Sequence, residues 1–456
     1  MKPLSKYFLL TRRSLAWRVK WLWQVLSPSI RSKKIIKHRL FRNFPFIFRH
    51  FKSYSDWLRQ NPPINHFSFD NQNEEPGNLN KELSRRIVFV SQNAQPYGSQ
   101  FLALGIIKKL KQELDVDVEV LLLLGGGPLK NDFEALAPVY ELNELDAKVS
   151  DMKMIARSFV RRGFTRAIVN TTVSGKIVPI FHDAGIACLC LIHELPGIIR
   201  SHKLEKRARQ IASSAKAIVF PAQIVADSFA QFAHVDIAKQ VIQPQGLFRK
   251  NEWRSNKNAA RAELRKRLGL SEDAKVVLTV GHADYRKGTD LFVECAFEIL
   301  KNKADVDFVW VGHGSGDPAL LSKLEEKIIV SAYRKKIHFV GYDPDTALYQ
   351  AGSDVYALTS REDPFPNVVL ESLDVGVPVV AFSATGGAAK LLEKVGGIVV
   401  PFEDVSAYAA AICQLLESQD YSTRLGDAGQ EYVDQHLGFR EYLIALCGLL
   451  EVKLSK

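Results

Sequence analysis

Residues 276–312 read VVLTVGHADYRKGTDLFVECAFEILKNKADVDFVWVG, and the punctuation of this stretch decides the fold. An apolar, β-branched run ends at Gly281, a polar loop with two adjacent cations follows, a helical pattern comes next, and a second apolar run ends at Gly312. Strand, loop, helix and strand in that order are the repeating unit of a parallel sheet covered by helices on both faces. The unit recurs downstream at IHFVG (337–341), DVYALTS (354–360), PVVAF (378–382) and GIVVP (397–401). Upstream it recurs at RIVFVS (86–91), VEVLLLL (118–124), RAIVN (166–170), ACLCLI (187–192), AIVFP (217–221) and VIQP (241–244). Between the two series lies a polar, charged stretch at 249–269, read as the joint between them. The expected fold is therefore two doubly wound α/β domains joined by one linker. A chain of 456 residues fits that division, because single hydrophobic cores stop growing at about 250–300 residues.

In such sheets ligands bind beyond the carboxyl ends of the strands, so the residues that follow each apolar run carry the function. In the second series these are GHADYRKGTD, GYDPD, SREDPFPN and SATGG; in the first they are SQNAQPYGSQ, NTTVSG, IHELPG and PQGLF. Glycines, cations and carboxylates dominate both sets, as a polyphosphate and polyhydroxyl ligand held between two lobes requires. Arg286 and Lys287 leave a strand in a loop where Gly288 permits a helix to start, and a cation there can meet a diphosphate that also receives backbone N–H groups. In SREDPFPNVVLESLDVGVPVVAF (360–382), Asp363 and Glu371 stand eight positions apart on either side of a turn leading into a helix.

RKGTDLF, HFVGY and above all REDPFPNVVLESLDVGVPVVAF resemble the C-terminal domain of the family 4 retaining glycosyltransferases, whose two-lobed Rossmann-like fold is called GT-B. VFVSQNAQPYGSQ and LIHELPG are similar to that family's first lobe, and the likeness covers roughly residues 85–450. It leaves the first 80 residues unexplained, and composition alone reads 1–82 as a basic, aromatic-rich extension and linker. Beyond it the resemblance implies an acceptor domain over 83–248, a nucleotide-sugar domain over 249–438 and a helix over 439–456 that crosses back to the first domain. It also implies that Glu371 bonds the donor ribose, that Asp363, where the family usually has Glu, faces the donor sugar, and that Lys287 binds the diphosphate. Pro364, Phe365, Pro366, Asn367 and Val368 then form the turn and helix start that line the sugar and phosphate, with the base held by backbone near Val340. His193 matches a histidine facing the donor sugar, and Gly98 a turn that brings backbone amides close to donor and acceptor. Where many members carry Arg after the strand-ending glycine, this chain has His282, and Arg286 is expected to supply the second positive charge.

The activity implied is metal-independent transfer, with retention, from a UDP- or GDP-linked sugar to a glycan, and the basic, Trp-rich segment at the start of the chain suggests an acceptor at a membrane, such as a lipid-linked glycan in cell-surface polysaccharide synthesis. No cofactor is expected besides the nucleotide-sugar co-substrate. An inactive GT-B scaffold at a membrane and a sugar-nucleotide epimerase are the alternatives. The pairs Asp115/Asp117 and Asp305/Asp307 precede strands, at the end away from ligands, and are set aside as metal ligands.

Charge is unevenly placed. Residues 1–60 hold 15 of the 61 Lys and Arg and one acid, Asp56, so they carry +14, while the rest of the chain has 46 basic and 49 acidic residues. Basic residues interleave with aromatics there, in RRSLAWRVKWLWQVL and RSKKIIKHRLFRNFPFIFRHFK, a pattern suited to the headgroup region of an anionic membrane. The competing readings are an extension packed on its own protein and an RNA-binding arm; no nucleic-acid partner is expected. The apolar runs fall short of the roughly 20 residues a spanning helix needs, and no uninterrupted apolar segment marks a secretory signal. Five cysteines without a C-x-x-C pair read as buried thiols of a reducing compartment, which places the protein in the cytoplasm, peripheral to the membrane.

Overall fold

The computed structural model describes residues 85–142, 148–312, 317–395 and 397–454, which all fall in one compact unit. The basic extension and most of the loop after Gly312 lie outside the described residues. Seven strands form the first sheet: β1 Arg86–Ser91, β2 Asp117–Leu122, β3 Val139–Glu141, β4 Arg166–Asn170, β5 Ala187–Leu191, β6 Ala217–Phe220 and β7 Gln240–Ile242. Their order is 3-2-1-4-5-6-7, and every pairing is parallel. The second sheet comprises β8 Lys275–Val280, β9 Val306–Val311, β10 Ile337–Gly341, β11 Val355–Leu358, β12 Val379–Phe382 and β13 Ile398–Val400, in the order 10-9-8-11-12-13, again all parallel. Both are doubly wound Rossmann-like sheets, whose strand order reverses beside the first strand and opens a crevice at the carboxyl ends of the central strands.

Burial explains why the strands were legible. All six residues of β9 are buried, and β1 and β2 are buried from their second residue on, so each reads as a continuous apolar run rather than an alternating one. The three-residue edge strands of the first sheet, β3 and β7, have no buried residue; β7 still shows the β-branched pair Val241–Ile242, whereas β3 reads Val-Tyr-Glu and carries no such signal. The charged stretch 249–269 differs from expectation more substantially: it contains the helix Lys257–Leu268, capped by the Asn256 side chain and ended by Gly269 with φ 66°. Its Arg265 is 2% exposed and donates to the carbonyls of Ala274 and Gly352 and to Asp354 at 2.6–3.0 Å. That charge is a buried cross-link of the second lobe, not part of a solvated linker. Asp307 also departs from its sequence reading, lying inside β9 rather than before it, 1% exposed and bonded to Lys336 and His338 at 2.9 Å.

The chain crosses between the lobes twice, side by side. Leu247 N–H donates to Leu437 O at 2.9 Å, and a side chain on Gly246 would stand 2.7 Å from the Gly438 backbone. After Gly438 the helix Phe439–Leu449 buries Phe439, Tyr442, Leu443, Leu446 and Cys447 in the core that also holds Ile87, Phe89, Leu189 and Leu191 of the first sheet. The five cysteines are free thiols, four buried and Cys413 half-buried.

Candidate functional site

Backbone geometry sets the acidic loop first. Gly288 has φ 71°, a conformation that costs glycine little, and its missing side chain lets it approach Thr359 O, which a Cβ would meet at 2.0 Å. Gly386 packs still closer, since a Cβ there would lie 1.6 Å from Asp363 O. Asp363 N–H donates to Thr385 O and Gly387 N–H to Pro364 O, both at 2.8 Å. Three loops leaving β8, β11 and β12 are thereby sewn together at the carboxyl end of the second sheet.

Their side chains meet there. Asp363, 5% exposed, accepts from Lys287 Nζ at 2.5 Å and from Ser360 Oγ at 3.3 Å. Lys287 N–H is itself fixed by Asp284 at 2.7 Å. Arg286 donates to Glu362 O at 2.8 Å, and Arg361 holds the same loop from outside through Asp290 at 2.7 and 2.8 Å while lying over the Tyr285 ring. Beyond the turn, Pro366 is the N-cap of the helix Asn367–Asp374, and Asn367 and Glu371 share its face one turn apart. Glu371 accepts from Gln350 Nε2 at 2.8 Å; burial raises its pKa, an effect opposed by Gln350 and by Arg249. Phe365 is buried in the core, Val368 packs against it half-buried, and Val340 does the same from β10.

The first lobe supplies the facing wall. His193, just after β5, has a buried Nε2 with no hydrogen-bond partner among the described residues, and burial lowers its pKa to about 4, so the ring is neutral near pH 7. Glu194, 6% exposed, accepts from Thr172 N–H at 3.0 Å, Thr172 Oγ1 at 2.7 Å and His193 N–H at 3.2 Å. It ties the loops after β4 and β5 together; burial raises its pKa and these three donors oppose the rise. Thr171, next to this junction, has φ 70°, strained for a non-glycine residue.

Among the contacts that bridge the lobes are three between these loops. Both Glu362 oxygens lie 3.1 Å from Gly197 N, the Tyr97 and His282 rings are 5.5 Å apart, and Asn367 Nδ2 donates to Gly98 O at 3.4 Å. Between them is a cavity of about 140 Å³ lined by His193, Glu194, Leu195, Arg286, Glu362 and Pro364. The structure thus gathers His193, Arg286 and Pro364 round one cavity, pairs Lys287 with Asp363, joins Gly98 to Asn367, and leaves Glu371 and Val340 outside that cavity. Glu194 and Glu362 were not singled out in the sequence. Each stands beside a residue that was, which is the signal that could have found them.

A family model described as glycosyl transferases group 1 matches residues 260–432. That segment carries the likeness to the group 1 glycosyl transferases. The matched segment includes the Lys287–Asp363 pair and Glu371. Among curated proteins the chain is 29% identical over 167 residues to the lipopolysaccharide core biosynthesis glycosyltransferase LpsE of Rhizobium meliloti (37% of this chain, 47% of LpsE). It is 31% identical over 189 residues to the D-inositol 3-phosphate glycosyltransferase of Xylanimonas cellulosilytica (41% of this chain, 44% of that protein). The chain spans about half the length of the curated relatives it matches. Among solved structures it is similar to Anabaena Alr3699/HepE in complex with UDP, with TM-score 0.69 and 19% identity over 80% of this chain and 99% of that one. It is similar also to WaaG, a glycosyltransferase involved in lipopolysaccharide biosynthesis, with TM-score 0.60 and 15% identity over 80% and 99% of the two chains. These likenesses show the fold, which is GT-B: two Rossmann-like halves with a cleft between them.

Proposed function

We propose that this protein is a retaining glycosyltransferase that moves a sugar from a UDP- or GDP-linked donor to a glycan or lipid-linked glycan acceptor in cell-surface polysaccharide synthesis. The observation that carries the reading is the Lys287–Asp363 pair, set at the carboxyl end of the second sheet, one turn and one helix start before Glu371. As the bond from sugar to diphosphate breaks, negative charge grows on the leaving phosphate and positive charge on the sugar. Lys287 and Arg286 are fixed cations for the first, and the amides at the start of the helix Asn367–Asp374 add to them without need of a metal ion. Asp363 holds Lys287 in place and presents a carboxylate toward the sugar side. Neutral His193 offers a buried ring nitrogen to a sugar hydroxyl from the opposite wall. The departing phosphate oxygen takes the acceptor proton in this scheme. Closure of the two lobes keeps water from the donor.

The relatives support the substrate class: LpsE is named for lipopolysaccharide core biosynthesis, and Alr3699/HepE is described in complexes with UDP and with UDP-glucose. Cytoplasmic location at a membrane face belongs to the same proposal. No helix among the described residues is long and apolar enough to cross a membrane. The test is calorimetric binding of UDP, GDP and ADP, without added metal, to the wild type, Lys287→Ala and Glu371→Ala. One nucleotide should bind, and each substitution should weaken it by roughly 10- to 100-fold, the loss of one charged hydrogen bond. A wild type that binds no nucleotide would overturn the reading.

A further inference from the structure

The hinge contains a glutamine that no reading of the site has used. Gln245 follows β7, one residue before the crossing at Gly246, and is 3% exposed. Its Nε2 donates twice into the donor turn of the other lobe, to Phe365 O at 2.8 Å and to Asn367 Oδ1 at 3.0 Å. The second bond fixes which way the Asn367 amide faces. With Oδ1 occupied by Gln245, the Asn367 NH2 is turned to Gly98 O on the first lobe, at 3.4 Å. Gln245 Oε1, by contrast, is buried with no partner among the described residues. A buried amide that leaves its own acceptor unmet while both bonds from its donor go to one turn is held there for the turn, because an unpaired buried acceptor costs stability.

We propose that Gln245 is a positioning residue for the donor site: it locks the Phe365–Asn367 turn from the hinge and sets the orientation of the Asn367 amide. It touches no reacting atom in this scheme and acts through Asn367 and the turn's backbone. Gly246 packs against Gly438, so the lock sits where the two crossings of the chain run side by side. Gln245 thereby links this turn to the hinge, beside the contacts of Asn367 with Gly98 and of Glu362 with Gly197.

The isosteric variant Gln245→Glu tests this, since it keeps the shape but replaces both N–H donors by a carboxylate facing two acceptors. The full-length wild type, Gln245→Glu, Asn367→Ala and the double variant are compared by amide hydrogen exchange without ligand. Exchange over residues 363–371 should quicken about 10-fold in Gln245→Glu, while β1 and β8 exchange as in the wild type; unchanged exchange over 363–371 overturns the proposal. The second readout rests on the nucleotide-sugar reading above: affinity for UDP-glucose or GDP-mannose, whichever the wild type binds, should fall about 10- to 100-fold in Gln245→Glu. The double variant should bind no more weakly than the worse single, as residues acting through one another do. Losses that add would overturn the coupling. If the wild type binds neither sugar nucleotide, the proposed function fails and the exchange result alone decides the role of Gln245.

Discussion

At the site, charge is neutralised before any ligand arrives. Lys287 and Asp363 satisfy each other at low exposure, so removing one leaves the other buried and unpaired. Asp363→Asn should therefore lower turnover by on the order of 10²- to 10³-fold while the protein stays folded, checked by steady-state transfer assays beside thermal melts. His193 makes a different prediction, about pH. Its pKa is lowered to about 4 by burial, below the usual 6.5, so the unfolded chain binds the proton more readily than the folded one. Its contribution is full above pH 6.5 and is lost as pH falls from there toward 4. His193→Gln should narrow the loss of Tm between pH 7 and pH 5 by roughly 2–4 °C. An equal loss in both proteins would count against a buried neutral imidazole.

Among the elements, the loops of the second lobe depend on close backbone approach. Gly386→Ala would place a methyl 1.6 Å from a carbonyl oxygen in a conformation that side chains rarely adopt, so the acidic loop must move. Stability should drop by about 2–4 kcal/mol in denaturant melts and nucleotide binding should weaken with it. The helix Lys257–Leu268 shows the opposite device, a charge that replaces packing. Arg265→Ala removes four hydrogen bonds into Ala274, Gly352 and Asp354 and should cost about 3–5 kcal/mol. A change within ±0.5 kcal/mol would return that stretch to a surface role. Asp354 also pairs with Arg261, so the two arginines should not be additive.

Across the whole molecule, the lobes share both crossings and one terminal helix. Leu446 and Cys447 are fully buried in the first core although they lie after the second lobe in sequence. Leu446→Asp should destabilise the first lobe more than the second, read as faster exchange over β1 and β5 than over β8 and β11. The basic extension makes its own prediction, from charge alone. Deleting residues 1–60 removes a net +14 and should abolish cosedimentation with vesicles rich in anionic lipid, leaving nucleotide binding unchanged. Undiminished vesicle binding would place any membrane contact elsewhere.

Twelve of the strand runs were legible as apolar or β-branched runs, most of them because buried parallel strands are apolar along their whole length, a local property of consecutive residues such as Val306–Val311. Only β3 escaped: β7 is as short and as unburied at the other edge, but its Val241 and Ile242 are β-branched, where β3 reads Val-Tyr-Glu. The acid pair and its cations were legible for the same local reason: they sit in loops whose place after each strand is fixed by the winding of the sheet. The tertiary structure alone decided which side chains meet. Asn367 reaches Gly98 across 269 positions, Glu362 reaches Gly197 across 165, and Gln245 reaches Phe365 across 120. No periodicity records such pairs, since each requires two sheets to be folded and brought together before the contact exists. The burial of Arg265 and Asp307 was not legible for that reason too: solvation is the default of an ionised residue, and only folding supplies the partners that let one be buried.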